Sequence, residues 1–137
     1  MDIKLIRNCL NEYPEIVAAY LFGSVVNEDA VANDLDILVL LLNNSDQLRI
    51  YTELSECLSN LLGISKRKID LLSLDLDEAD PHVLSEAINH GILLKNVDAD
   101  LLGDRIEMIS EYLMFNEPII QRASRLRREM LEEFCET

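Results

Sequence analysis

The chain has 137 residues, 49% of them apolar, enough for one domain with a buried core. Its 12 basic and 26 acidic residues give a net charge of −14, which repels nucleic-acid backbones and argues against a DNA- or RNA-binding role. Cys9, Cys57 and Cys135 are odd in number and widely spaced, so they suggest neither a disulfide framework nor a zinc site and fit a reducing cytoplasm. Asp2, Lys4 and Arg7 interrupt the apolar residues at the N-terminus, unlike a secretory signal, and the longest apolar run, Ile37 to Leu42, is too short to span a membrane.

In chain order, Ile3, Ile6, Leu10 and Tyr13 recur at helical spacing before Pro14, which predicts an amphipathic helix over residues 2–13. Ile16 to Phe22 reads as a strand closed by Gly23-Ser24, and Leu35 to Leu42 as a second strand, apolar on both faces and therefore central in a covered sheet. From Gln47 to Leu62 the residues Ile50, Tyr51, Leu54, Leu58 and Leu61 form one helical stripe, with Gly63 placed to end it. Lys68 to Leu74 reads as a third strand. Asp80-Pro81 reads as an N-cap and first turn of a helix ending near Gly91, and Ile92 to Lys95 as a short edge strand. From Asp98 the pattern is helical, with Asn116-x-Pro118 marking a break or restart. The expected fold is α/β (α+β): a small mixed sheet flanked by helices over residues 1–97, and a C-terminal helical tail, residues 98–137, packed on it as part of the same domain. The strands' mutual directions do not follow from the pattern.

Three carboxylates stand out because they interrupt apolar strands. Asp34 and Asp36, two apart at the head of the second strand, point to one side with Cα atoms about 7 Å apart. Leaving them on an apolar strand costs stability unless water or cations satisfy them. Hard oxygen ligands on a rigid element suit two Mg²⁺ ions, the usual device for phosphoryl transfer. Asp70, early in the third strand, could share a metal and take a proton from an attacking hydroxyl. Gly23 allows close backbone approach to phosphate oxygens, and Ser24 adds hydrogen-bond donors for a nucleoside triphosphate. Each feature alone also has an ordinary reading as a turn or a solvated strand end.

Taken together, Tyr20-Leu21-Phe22-Gly23-Ser24, nine residues, then Asp34-Leu35-Asp36-Ile37 resembles the signature of the DNA polymerase β-like nucleotidyltransferases, with Asp70 at the third acidic position. Within them the chain is similar to the minimal nucleotidyltransferases of the MntA antitoxin type, which share its Ile-Asp-Leu-Leu-x-Leu segment, Ala-Asp-Pro helix start and Gly-Ile-Leu-Leu turn. That resemblance implies a Mg²⁺-dependent transfer of AMP from ATP to a tyrosine of a HEPN ribonuclease toxin, silencing it, with an oligomer formed between the two proteins. It also implies Asp34, Asp36 and Asp70 as catalytic and metal-binding residues and Gly23 and Ser24 as nucleotide-binding ones. The rivals are a transferase acting on a small molecule and an antitoxin that neutralises its partner by binding.

One departure concerns charge. Members of that family commonly carry a basic residue and a glycine shortly after Gly-Ser, whereas Val25-Val26-Asn27-Glu28-Asp29 has no positive charge. Lys66-Arg67-Lys68 could compensate, or could simply be a solvated edge. His82 and His90 lie about two turns apart on one helix, too far to share a metal, and neither begins the His-x-Tyr of a HEPN nuclease. The stripe Ile120, Ala123, Leu126, Met130 and Phe134, flanked by Arg122, Arg125, Arg127 and Arg128, reads either as packing on its own domain or as a docking surface.

Overall fold

A computed structural model describes residues 2–23 and 34–114. Ser24 and the loop after it, the Asn116-x-Pro118 break, the arginine-flanked stripe and Cys135 lie outside the described residues. Local signals set most element ends. Helix α1 (Ile3–Asn11) starts at Asp2, whose carboxylate accepts from the Lys4 amide at 3.0 Å. Helix α2 (Gln47–Leu62) starts at Asp46, which accepts from the Arg49 amide at 3.2 Å, and stops at Gly63 in the left-handed region. Helix α3 (Pro81–His90) begins with Asp80 accepting from the His82 amide at 2.8 Å and with proline in its first turn. Helix α4 spans residues 99–114 of the described chain, and Asp98 accepts from the Leu101 amide at 3.1 Å. Among the described residues no helix is long and apolar enough to cross a membrane.

Four strands, β1 (Ile16–Phe22), β2 (Leu35–Leu41), β3 (Ile69–Ser73) and β4 (Ile92–Asn96), form one sheet in the order β3-β2-β1-β4. β1 runs antiparallel to both β2 and β4, while β2 and β3 are parallel, joined through α2 and an exposed 3-10 turn, Lys66–Lys68. The sheet is therefore mixed, with the expected edge strand at β4. All seven residues of β1 are buried, which requires cover on both faces. Ile16, Ala19, Leu21, Leu35, Ile37, Val39 and Ile69 pack on one face against Ile6 and Leu10 of α1 and Ile50, Leu54 and Leu58 of α2. Ala18, Tyr20, Phe22, Leu38 and Leu40 pack on the other against Leu84 and Ala87 of α3 and Leu102 and Ile109 of α4. Burying each large side chain contributes about 1.5–3 kcal/mol. A register shift between Ile16 and Ala18 puts Val17 on the same side as Ala18, a bulge that interrupts the two-residue alternation.

Helix α1 is fastened to β4 by two cations. Arg7 Nε donates to the Leu94 carbonyl at 3.1 Å and its Nη2 to that of Leu93 at 3.3 Å, covering part of the open sheet edge. Lys95 is 9% exposed, and its Nζ donates to the carbonyls of Leu10 and Tyr13 at 3.1 and 3.0 Å, at and beyond the end of α1. Burial pulls its ammonium pKa down, with the Glu15 charge acting in the opposite direction. Lys95→Met keeps the apolar stem and removes both charge-assisted bonds. It should lower unfolding stability in urea by about 1–3 kcal/mol, and an unchanged midpoint would show that the ammonium does not secure the helix. Cys9 and Cys57 are free thiols, and burial, then the neighbouring Cys57 thiol, push Cys9 up to about 12, leaving it protonated at physiological pH.

Candidate active site

The carboxylates meet because of strand register. β1 ends at Phe22 opposite Asp36, and the parallel neighbour β3 places Asp70 directly beside Asp36. Leu35 pairs with Ile69 one step earlier, so Asp34, immediately before β2, stands at the same end of the sheet. By alternation, Ile69 and Leu71 face α1 and α2, which leaves Asp70 on the opposite face with Leu72. Asp36 shares that face with Leu38 and Leu40. Adjacent strands lie about 4.8 Å apart, a distance across which two aspartate side chains can touch.

They do touch. Asp36 is partly buried while Asp34 and Asp70 are exposed. Burial, then the Asp70 carboxylate within hydrogen-bonding reach, and then the charges of Asp70 and Asp34 raise the Asp36 pKa to about 6. Strands chosen for stability alone would not align two carboxylates. Gly23 completes the arrangement. Its φ is +81°, and a Cβ added there would collide with Asp36 Oδ2 and stand 3.2 Å from its Cγ. The glycine is therefore needed for the room it leaves to the carboxylate as well as for its backbone angle. Locally Gly23 signals phosphate approach or a turn and nothing of this contact, because the cross-strand register creates it.

Among the described residues no three His, Cys, Asp or Glu side chains converge closely enough to hold a metal ion together. The fold brings Asp36 and Asp70 together, and Asp34 reaches them through its charge. This donor set fits a hard divalent cation such as Mg²⁺: it consists of carboxylate oxygens on adjacent strands, and a cation would offset the burial and the neighbouring carboxylates that disfavour the charge of Asp36. Lys66, Arg67 and Lys68 are exposed at the start of β3, at this same end of the sheet. His82 and His90 are exposed on α3.

Comparison with known proteins agrees with the geometry. No curated protein matches the chain. Among solved structures, it is similar to a chain of a mutant MntA–HpeT toxin–antitoxin at 21% identity and TM-score 0.65, covering 90% of this chain and 99% of that one. A toxin–antitoxin with AMP-PNP matches at 23% identity and TM-score 0.65, over 90% of this chain and 99% of that one. The complex of a tri-AMPylated Shewanella oneidensis HEPN toxin with an MNT antitoxin matches at 23% and 0.58, over the same shares of the two chains. At such identity the likeness speaks for the fold. The family model for polymerase beta, nucleotidyltransferase, spans residues 4–100 and so takes in Gly23 and all three carboxylates. With the mixed sheet and paired aspartates, that match places the chain in the polymerase beta nucleotidyltransferase family.

Proposed function

We propose that the protein is an MntA-type antitoxin that transfers AMP from Mg-ATP to a tyrosine of a partner HEPN toxin in the cytoplasm, releasing pyrophosphate. The observation that carries this reading is the register pairing of Asp36 with Asp70 beside Gly23, in a chain of this family. The structural neighbours captured with AMP-PNP and with an AMPylated HEPN toxin support the choice of nucleotide and acceptor.

In this reading Gly23 and Ser24 hold the triphosphate. Asp36 and Asp70, with Asp34 as a further ligand, hold Mg²⁺. The metal, when bound, neutralises phosphate charge and acidifies a nearby hydroxyl. Asp70, the exposed member of the pair, faces the incoming acceptor. The tyrosine oxygen attacks the α-phosphorus, a new P–O bond forms, and the bond to the β-phosphate oxygen breaks to release pyrophosphate. The phenolic proton passes to Asp70. Residues 1–97 carry this chemistry. The acceptor protein brings its own docking surface.

Incubating the protein with α-labelled ATP, Mg²⁺ and its HEPN partner should place label on a toxin tyrosine. Asp70→Asn should slow that transfer by about 10²–10⁴-fold, the range for losing a positioned base. Label appearing on a small hydroxylated acceptor with no partner present, and never on the toxin, would instead support a small-molecule transferase.

A further inference from the structure

We propose that the basic turn Lys66-Arg67-Lys68 is the polyphosphate-binding element of this site, holding the β- and γ-phosphates of the nucleotide; the inference rests on the nucleotidyltransferase reading above. Three observations carry it. The first is place. The turn leads directly into β3, whose first residue, Ile69, pairs with Leu35 between Asp34 and Asp36, and whose second, Asp70, pairs with Asp36. Three positive charges thus stand at the same end of the sheet as three negative ones.

The second is availability. Arg7 and Lys95 are bound to backbone carbonyls, and Arg49 and Arg105 to carboxylates. Lys66, Arg67 and Lys68 are exposed and have no side-chain partner among the described residues, in a chain of net charge −14.

The third is anchoring. Ser65 Oγ accepts from the Arg67 amide at 3.3 Å, the Lys68 amide donates to the Ser65 carbonyl at 3.0 Å, and Ser59 Oγ donates to the Ile64 carbonyl at 2.6 Å. The turn is thereby held between α2 and β3. With three residues per turn, its side chains project about 120° apart, so the trio acts as a local positive field more than as a single ligand. Such a field answers the electrostatic problem of the site: a triphosphate must approach three carboxylates, and the segment after Ser24 carries no cation.

The test is calorimetric titration of wild type and of the triple variant Lys66→Gln, Arg67→Gln, Lys68→Gln with Mg-ATP, Mg-tripolyphosphate and AMP, at low and high salt. The expected result is at least a tenfold loss of affinity for ATP and tripolyphosphate at low salt, shrinking at high salt, with AMP within twofold and an unchanged melting temperature. ATP binding within twofold of wild type overturns the inference. If that variant also loses its toxin partner while wild type still transfers AMP, the turn is a protein contact and the enzymatic reading stands. If wild type itself neither binds ATP nor transfers AMP, the nucleotidyltransferase reading falls, and this inference with it.

Discussion

Asp36→Asn is expected to abolish AMP transfer while making the metal-free protein more stable. The loss follows from removing an anionic oxygen ligand at the centre of the site, and at least about 10³-fold is expected for a group whose partners act as a unit. The gain follows from the carboxyl's surroundings. Burial and Asp70 hold Asp36 at about 6 in the folded chain against 3.8 as its ordinary value. Because that pKa is raised, the fold binds the proton more tightly than the unfolded chain does. The cost of ionising Asp36 is absent below about pH 4, grows as pH rises through 6, and is complete above it. Taken at face value the shift corresponds to about 3 kcal/mol, and partial solvent access reduces this to about 1–2 kcal/mol.

Chemical denaturation in EDTA should therefore show Asp36→Asn more stable than wild type at pH 8 and equal to it at pH 4. Adding Mg²⁺ should raise the melting temperature of wild type and leave that of the variant unchanged, since a ligand stabilises only the fold that binds it. Equal stability at both pH values would mean that Asp36 is comfortably solvated and that no repulsion exists for a cation to relieve. Full neutralisation of the toxin by Asp36→Asn would favour an antitoxin that works by binding.

Gly23→Ala should damage both the fold and the site. At φ +81° alanine is strained by about 1 kcal/mol, and its Cβ meets Asp36 Oδ2. Either the carboxylate swings away from Asp70 or the end of β1 shifts. Transfer should fall by about 10²-fold or more, and stability by about 1–3 kcal/mol. The cause can be isolated by a double-mutant cycle. In an Asp36→Ala background the colliding oxygen is gone and only the Asp36 Cβ remains, at 3.5 Å, an ordinary contact. Gly23→Ala should then cost only its backbone strain, giving a coupling of about 1 kcal/mol or more. Additive costs would locate the damage in the backbone angle alone.

Much of the fold was legible residue by residue. Ile16 to Phe22 and Gln47 to Leu62 are bounded as the structure has them, because Gly23, Asp46 and Gly63 act on the backbone within a turn of themselves. The continuous apolar run at Leu35 announced an interior strand, and β2 is one. The three carboxylates stood out for the same local reason: a charge inside an apolar strand conflicts with burial. The bulge at Val17 was not legible, because both of its flanking residues are apolar and either facing satisfies the pattern.

Local sequence set where most helices and strands begin and end, to within about a residue or two, and which acidic residues conflict with their strands. These are properties of a few neighbouring residues, while α1 stops at Asn11 and not Tyr13 and Lys68 belongs to the 3-10 turn and not to β3. Tertiary structure decided that β2 and β3 run parallel, that Asp70 stands beside Asp36, that Lys95 secures the end of α1, and that Gly23 must lack a side chain. Each depends on pairing segments far apart in the chain, where a slip of one residue in register would turn a carboxylate to the opposite face. The motif opened by Gly23 and closed by Asp36 thus names its residues in sequence, but only the antiparallel return of β2 along β1 brings the glycine against the carboxylate.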